Sequence, residues 1–531
     1  MPLPQKHVNL KLKQLIPNIL AILCFIPFAY IAVQSIFQTS VIDPEKYSAE
    51  HILFPADDWI VNLVMLFIFY VAVYHLNKAY SFFAKVNMKV MYGGMVVYVL
   101  AIGLYWVFSV WQIPGADSAN IFETATEVIA GNYSSFYNGS AFYNASFFGG
   151  ISYYNFCPYQ LGFVFICEIV YRLFGTDSAM PVQVLNVICV ALTYCGVART
   201  SRLIFKRKSI EFFTIMLLAC FLQPMFFSSF PYGNIVGMAC AVWASYFLIK
   251  YLQTSHYKHL IPCTVLLAVS ILAKYNNLIY MVAFVIILLL HTISTRNYRS
   301  LIFAIVMLFV SVTITDVIVM SYEARAGVTL AKGQPQMSYL AMGLNKSSMA
   351  PGWYSSKYKN FYRDNNCDTE LTISLVKEDM AQNIEALTSD KAYAREFFSQ
   401  KILSQWNEPT FQSIWVSKTK HHVKEPTEFA KNIYDGTAGR LYDAYCNQYI
   451  QSLYLLFSAG LLTLILKRKM NLETVLLPLI LLGGFGYHLL FEAKAQYALT
   501  YIVLLTPTAA YAVQTLLCDT CGKVKAFFDE K

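Results

Sequence analysis

Apolar residues in this chain come in long runs separated by short polar segments, unlike the strict alternation of a half-buried strand. The runs at 16–37, 61–74, 90–110 and 301–312 contain no Asp, Glu, Lys or Arg. About 20 helical residues cross the hydrocarbon core of a bilayer, and an open sheet cannot satisfy its backbone there. The pattern predicts an all-α polytopic membrane protein of about a dozen transmembrane helices. They are expected at 14–37, 58–76, 90–111, 178–198, 210–229, 232–253, 259–275, 277–293, 300–320, 449–467, 472–490 and 495–516.

The polar segments sort by charge. With the N-terminus inside, the short cytoplasmic segments receive Lys6, Lys11, Lys13, Lys206, Arg207, Lys208, Lys467, Arg468, Lys469, Lys523 and Lys525, among others. The short outside segments hold only Lys46, Arg172, Lys274 and Lys494. That is the positive-inside bias, and it predicts both termini to be cytoplasmic. Counting 160–174 as a span would throw Lys206, Arg207 and Lys208 outside, so it is read as a helix on the outer surface. The expected layout is an N-terminal helical hairpin and cytoplasmic loop (1–89) and a transmembrane core (90–320) with a long outside loop (112–177). A small, mainly helical extracytoplasmic domain (321–448) and C-terminal helices with a cytoplasmic tail (449–531) complete it. No internal repeat of the transporter kind is visible.

Composition agrees: 57% of the 531 residues are hydrophobic, 13% charged and 16% aromatic. A net charge of +9 would suit nucleic acid, but the basic residues form no continuous stripe, so nucleic-acid binding is excluded. The first apolar run is too long for a cleavable signal peptide. Most cysteines sit inside apolar runs and act as small hydrophobes. Cys518 and Cys521 form a CxxC without a partner pair, which reads as coincidence; a disulfide between Cys367 and Cys446 is open. Four sequons (Asn132, Asn138, Asn144, Asn345) fall outside. The His421-His422 pair reads as a solvated loop. Phosphate-loop, HExxH and GxSxG motifs are lacking.

Ionisable groups near a membrane face are costly and hence the first functional suspects. Asp117, in Pro114-Gly115-Ala116-Asp117-Ser118, could be a general base or hold a divalent cation; the alternative is a cap for the amphipathic helix after it. Lys274, in a polar break with Asn276 and Asn277, could bind a lipid phosphate, or simply snorkel. Tyr232 and Asn234 form a polar corner, and Asp316 lies near the outer end of the ninth helix. Glu492, Lys494, Gln496 and Tyr497 sit at the mouth of the last helix. Asp117, Asn234, Lys274, Asp316 and Glu492 all fall at one depth, which suggests a site at the outer surface reached partly from the lipid. The residues require no metal; a divalent cation remains compatible with them.

At these residues the chain resembles the bacterial GT-C membrane glycosyltransferases related to protein O-mannosyltransferases and to the aminoarabinose transferase of lipid A. Asp117 follows a span in the first long outside loop. Cys157-Pro158-Tyr159-Gln160-Leu161-Gly162 leads to Tyr171-Arg172-Leu173-Phe174-Gly175, like the family's proline-headed surface helix. Leu272-Ala273-Lys274-Tyr275-Asn276 looks like its Leu-Thr-Lys break, and the segment from Phe491 to Tyr497 like its Glu…Arg-Tyr segment, with Gln496 in place of the arginine. Asn155 and Cys157 stand where many members carry a second acidic residue, and the first two helices look like an addition before the core. The segment from Gln405 to Phe411 resembles part of the outside domain of Gram-positive members.

The resemblance implies an inverting transfer of a sugar from a polyprenyl-phosphate carrier to an extracytoplasmic acceptor: a cell-surface glycan, lipid or protein. Asp117 would be the base. Lys274, Lys494 and Arg172 would stabilise the leaving phosphate. Asn234, Glu492, Tyr497, Tyr232 and Trp406 would contact substrate, with Trp353 and Trp415 shaping the acceptor side. A multi-pass transporter or a flippase or polymerase for lipid-linked glycans is the rival reading. The long outside loops and the crowding of polar residues at one face speak against transport.

Overall fold

The computed structural model describes residues 5–83 and 87–518. Cys521, Lys85 and the tail lysines Lys523, Lys525 and Lys531 lie outside the described residues. Helices dominate; among the described residues the one sheet is a two-stranded hairpin pairing Val41–Ile42 with Ile52–Leu53. Among the described residues, nine helices are long and apolar enough to cross a membrane: 14–37, 88–110, 180–205, 234–254, 275–295, 298–326, 437–466, 472–490 and 495–516. Each matches an expected span. The chain is a multi-pass membrane protein.

Three other expected spans differ. The helix Trp59–Phe83 and the apolar helix 257–273 are present, but their apolar stretches are short. The expected span 210–229 is broken into Lys208–Ala219 and Gln223–Phe227. Pro224 stands in the first turn of the second piece, where its missing N–H costs nothing. The corner that follows frees carbonyls that a bilayer cannot satisfy. Side-chain amides of the neighbouring helix Met180–Phe205 serve them: Gln183 Nε2 donates to Ser229 O (2.8 Å), and Asn186 Nδ2 to Ser228 O (3.2 Å) and Phe230 O (2.8 Å).

Helix Leu161–Phe174, with the turn at Pro158–Gln160 that leads into it, is bent by 70° from the helical segment Ala145–Asn155. Its buried Glu168 accepts from Arg172 (2.7 Å), from Arg325 Nη1 and Nη2 (2.9 and 2.8 Å) and from Tyr322 Oη (2.7 Å), which pins it to helix Tyr298–Ala326. That helix continues past 320, and Thr437–Leu466 begins ahead of 449. The polar segment between them is mainly helical, in Thr369–Ser389 and Lys391–Trp406 above all, with Asp390 capping the second. Trp353, Trp406, Phe411 and Val416 belong to the same apolar core as the spans. Cys367 and Cys446 are both free thiols, so the disulfide left open by spacing is not formed.

Candidate functional site

Asp117 owes its position to two loops that pair. Ile113 N donates to His421 O and Val423 N to Trp111 O, both at 2.8 Å, and His422 Nδ1 donates to the Val110 carbonyl (2.6 Å). The histidine pair therefore buttresses the loop entering the site. A Cβ on Gly115 would lie 2.6 Å from Lys420 Cδ, so glycine lets the Lys420 side chain lie against this loop. Ala116 is forced to φ +51°, a region most residues avoid. Asp117 then opens helix Asp117–Ile129 as its first helical residue. The cap position is Ala116 and no side chain caps it, so the capping role does not apply. The Asp117 carboxylate makes no hydrogen bond or ion pair with any described residue.

Lys274 interrupts the helices Leu260–Ala273 and Leu278–Thr295. Close backbone approach holds this break. A Cβ on Gly162 would lie 2.6 Å from Leu272 O, and one on Gly233 would overlap the carbonyl of Ala273. The Tyr232–Gly233 corner is thereby pressed against the break, and the Lys274 ammonium lies 4.3 Å above the Tyr232 ring and 5.4 Å from that of Tyr497. It has no hydrogen-bond or ion-pair partner among the described residues.

The segment between helices Leu472–Leu490 and Ala495–Ile502 supplies the third wall. Glu492 N donates to Tyr339 O and Ala493 N to Gly352 O, both at 2.9 Å, and Lys401 Nζ donates to Phe491 O (3.0 Å). Tyr497 Oη donates to Glu492 Oε1 (3.2 Å). Lys494 Nζ binds both carboxylate oxygens of Glu50, at 2.9 and 2.7 Å.

These parts enclose one cavity of about 360 Å³. Of the residues expected at the site, Asp117, Lys274, Lys494, Glu492, Tyr497 and Tyr232 line it, as does Trp415. Asn234 sits just behind the wall, with Nδ2 donating to Gln496 O (3.3 Å). Four expected residues lie elsewhere. Arg172 is taken up by Glu168 and half exposed. Trp406 is packed against Phe28, Phe485 and Tyr501 in the core, and Trp353 is buried with Nε1 donating to Ser404 Oγ (2.9 Å). Asp316 is exposed on its helix and does not reach the cavity.

Sequence reasoning missed Glu50, Lys420, Lys359 and a tyrosine-rich wall including Tyr153, Tyr159, Tyr339 and Tyr354. The density of Tyr and Phe in 133–159 was the available signal. Burial pushes the Glu492 carboxyl up, against the pull of Lys494. Burial likewise lowers Lys420, whose ammonium lies 4.8 Å from the Trp415 ring, and takes Lys359 down to about 8. Among the described residues no cluster of three or more His, Cys, Asp or Glu side chains could hold a metal ion.

Residues 160–318 match the model of the family described as dolichyl-phosphate-mannose-protein mannosyltransferase. No curated protein matches the chain. Among solved structures, it is similar to the apo oligosaccharyltransferase of Archaeoglobus fulgidus, with TM-score 0.41 and 12% identity over 83% of this chain and 52% of that one. It is also similar to ArnT of Cupriavidus metallidurans, solved with undecaprenyl phosphate bound, with TM-score 0.32 and 13% identity over 78% and 77% of the two chains. The chain spans about half the length of the archaeal protein.

Proposed function

We propose that this chain, a GT-C-type membrane glycosyltransferase by its family match, moves a sugar from a polyprenyl-phosphate-linked donor to an extracytoplasmic acceptor, with inversion at the anomeric carbon. One observation carries the reading. A single cavity holds a carboxylate, Asp117, and an ammonium, Lys274, neither with a hydrogen-bond or ion-pair partner among the described residues, brought together from distant parts of the chain.

In this reaction the acceptor hydroxyl gives its proton to Asp117 as its oxygen attacks the anomeric carbon. The bond from that carbon to the phosphate oxygen breaks on the opposite face, and its electron pair leaves with the polyprenyl phosphate. Lys274 and Lys494 stabilise the charge that grows there. The rings of Tyr232 and Tyr497 keep the Lys274 ammonium in place without pairing it, which leaves its donors for the phosphate. Tyr232 and Tyr497 fix that ammonium, and Glu492 orients Tyr497. The tyrosine-rich wall offers flat apolar faces with hydrogen-bonding tips, suited to a sugar ring. The acceptor is a cell-surface glycan, lipid or protein. The active site faces away from the cytoplasm, where the charge bias puts the long loops.

The test is Asp117→Asn and Asp117→Ala in cells, with surface glycans read by mass spectrometry. Loss of a general base lowers turnover by about 10²- to 10⁴-fold, so one sugar should vanish from the surface at normal protein levels. Unchanged glycans in both variants would rule Asp117 out as base.

A further inference from the structure

The hairpin between the first two helices lies outside the segment that matches the family model, yet it reaches the cavity. Ser40 N donates to Asn407 O (3.2 Å), Asn407 Nδ2 to Gln38 O (2.6 Å), Trp415 Nε1 to Tyr47 O (2.8 Å) and Ile52 N to Met349 O (2.9 Å). So docked, it delivers Glu50, only 5% exposed, to the cavity wall. Lys494 Nζ binds both its oxygens, and Gln412 Nε2 donates to Oε1 (2.8 Å). Gln412 Oε1 in turn accepts from Gln496 N (3.4 Å), so the carboxylate is tied to the 494–496 segment twice.

The backbone around this contact is strained on both sides. Glu50 (φ +55°), Phe411 (φ +49°) and Gln412 (φ +60°) all occupy the left-handed region without being glycine. Such conformations persist only where surrounding structure over-determines them, and they gather at functional sites. Packing alone does not need a carboxylate here, since a buried ion pair is often no more stabilising than apolar side chains of the same volume.

We propose that Glu50 is a positioning residue of the transferase site, holding the Lys494 ammonium at the cavity wall so that one of its N–H groups faces the carrier phosphate. The assignment rests on the reading of Lys494 as a phosphate ligand. A lysine ammonium has three donors on a flexible stem. Two point at Glu50, leaving the third for the cavity. Without Glu50, the ammonium is drawn to Glu492, the carboxylate that already feels its charge. A ready donor is then lost from the phosphate position.

The experiment measures binding of undecaprenyl phosphate alone to the full-length protein in detergent, for wild type, Glu50→Ala and Glu50→Gln, with the melting temperature of each recorded. A hydrogen bond to a charged group contributes about 1.5–3 kcal/mol, so Glu50→Ala should weaken the carrier about tenfold or more. Glu50→Gln keeps an acceptor oxygen and should fall between the two. A purely structural carboxylate would lower melting without moving affinity, and a merely neutralising one would tighten binding when removed. Unchanged or tighter binding in Glu50→Ala overturns the proposal while leaving the transferase reading intact. Should Glu50→Ala fail to fold, Glu50→Gln decides: about threefold weakening sustains the proposal and unchanged affinity ends it. A wild-type protein that does not bind undecaprenyl phosphate at all sinks the lipid-phosphate donor, and this assignment with it.

Discussion

Replacing Lys274 by methionine should make the protein more stable and unable to hold its donor. The side chain keeps its stem out to Cε but loses an ammonium that no described carboxylate pairs with. An unpaired charge taken from water costs several kcal/mol. Only part of that applies, because the half-buried side chain faces a cavity large enough to admit water. The rings of Tyr232 at 4.3 Å and Tyr497 at 5.4 Å return about 1–2 kcal/mol, and the nearby charges of Asp117 and Glu492 return some more. The balance leaves Lys274→Met more stable by roughly 1 kcal/mol, a rise in melting temperature of about 1 to 3 °C for a chain of this size. Thermal unfolding in detergent, with and without undecaprenyl phosphate, measures both effects. At 100 times its dissociation constant the ligand should stabilise wild type by about 2.7 kcal/mol, and Lys274→Met hardly at all. A variant that melts lower than wild type yet keeps the whole ligand shift would refute the reasoning, and Lys274 would be a structural residue.

Gly233→Ala adds a Cβ that overlaps the Ala273 carbonyl at a φ alanine tolerates, so its cost is purely steric, about 1–3 kcal/mol; Gly93→Ala, with open space around it, should be neutral or slightly stabilising in the same melting assay. Burial pushes the Glu408 carboxyl up to about 7, so the folded state holds its proton more tightly than the unfolded chain and stability falls as pH rises from about 4.5 to 7. Glu408→Gln should flatten that slope, worth roughly 3 kcal/mol across the window, and an unchanged slope in pH-dependent melting would exclude Glu408 as its source. Arg325→Met breaks a two-pronged bond to buried Glu168 and should cost about 2 kcal/mol or more, whereas Arg172→Met, half exposed, should cost less than about 1 kcal/mol; equal melting temperatures would count against the asymmetry.

Much of the fold could be read from the chain because the bilayer tolerates so few solutions. Nine expected spans appear as helices within a few residues of their predicted ends, or longer, since run length and flanking charge are what the membrane selects. The span expected at 210–229 shows the limit. Its hydropathy is that of a membrane helix, but Pro224 and the serines after it turn the chain, and the amides that make this tolerable, Gln183 and Asn186, belong to another helix. Local hydropathy carries no sign of partners more than forty residues away.

The site divides in the same way. That the polar breaks converge was legible, because each falls between two apolar runs; the breaks at Asp117, Lys274 and Glu492 do meet in one cavity. Azimuth around each helix was not. Asp316, expected with them, is exposed on its helix and does not line the cavity, and Trp406 turns into the core rather than toward the cavity. What sets azimuth is close packing, above all the two approaches where Gly162 meets Leu272 and Gly233 meets Ala273. Those contacts swing the Lys274 break beneath the Tyr232 corner and so turn an ordinary interfacial lysine into a caged charge. A Cβ at either glycine would push the break away from the Tyr232 corner, and the ammonium would leave its place beside the two rings. Two backbone hydrogens, in the positions where a methyl group would collide, therefore do as much to make the site as the charged residues they position.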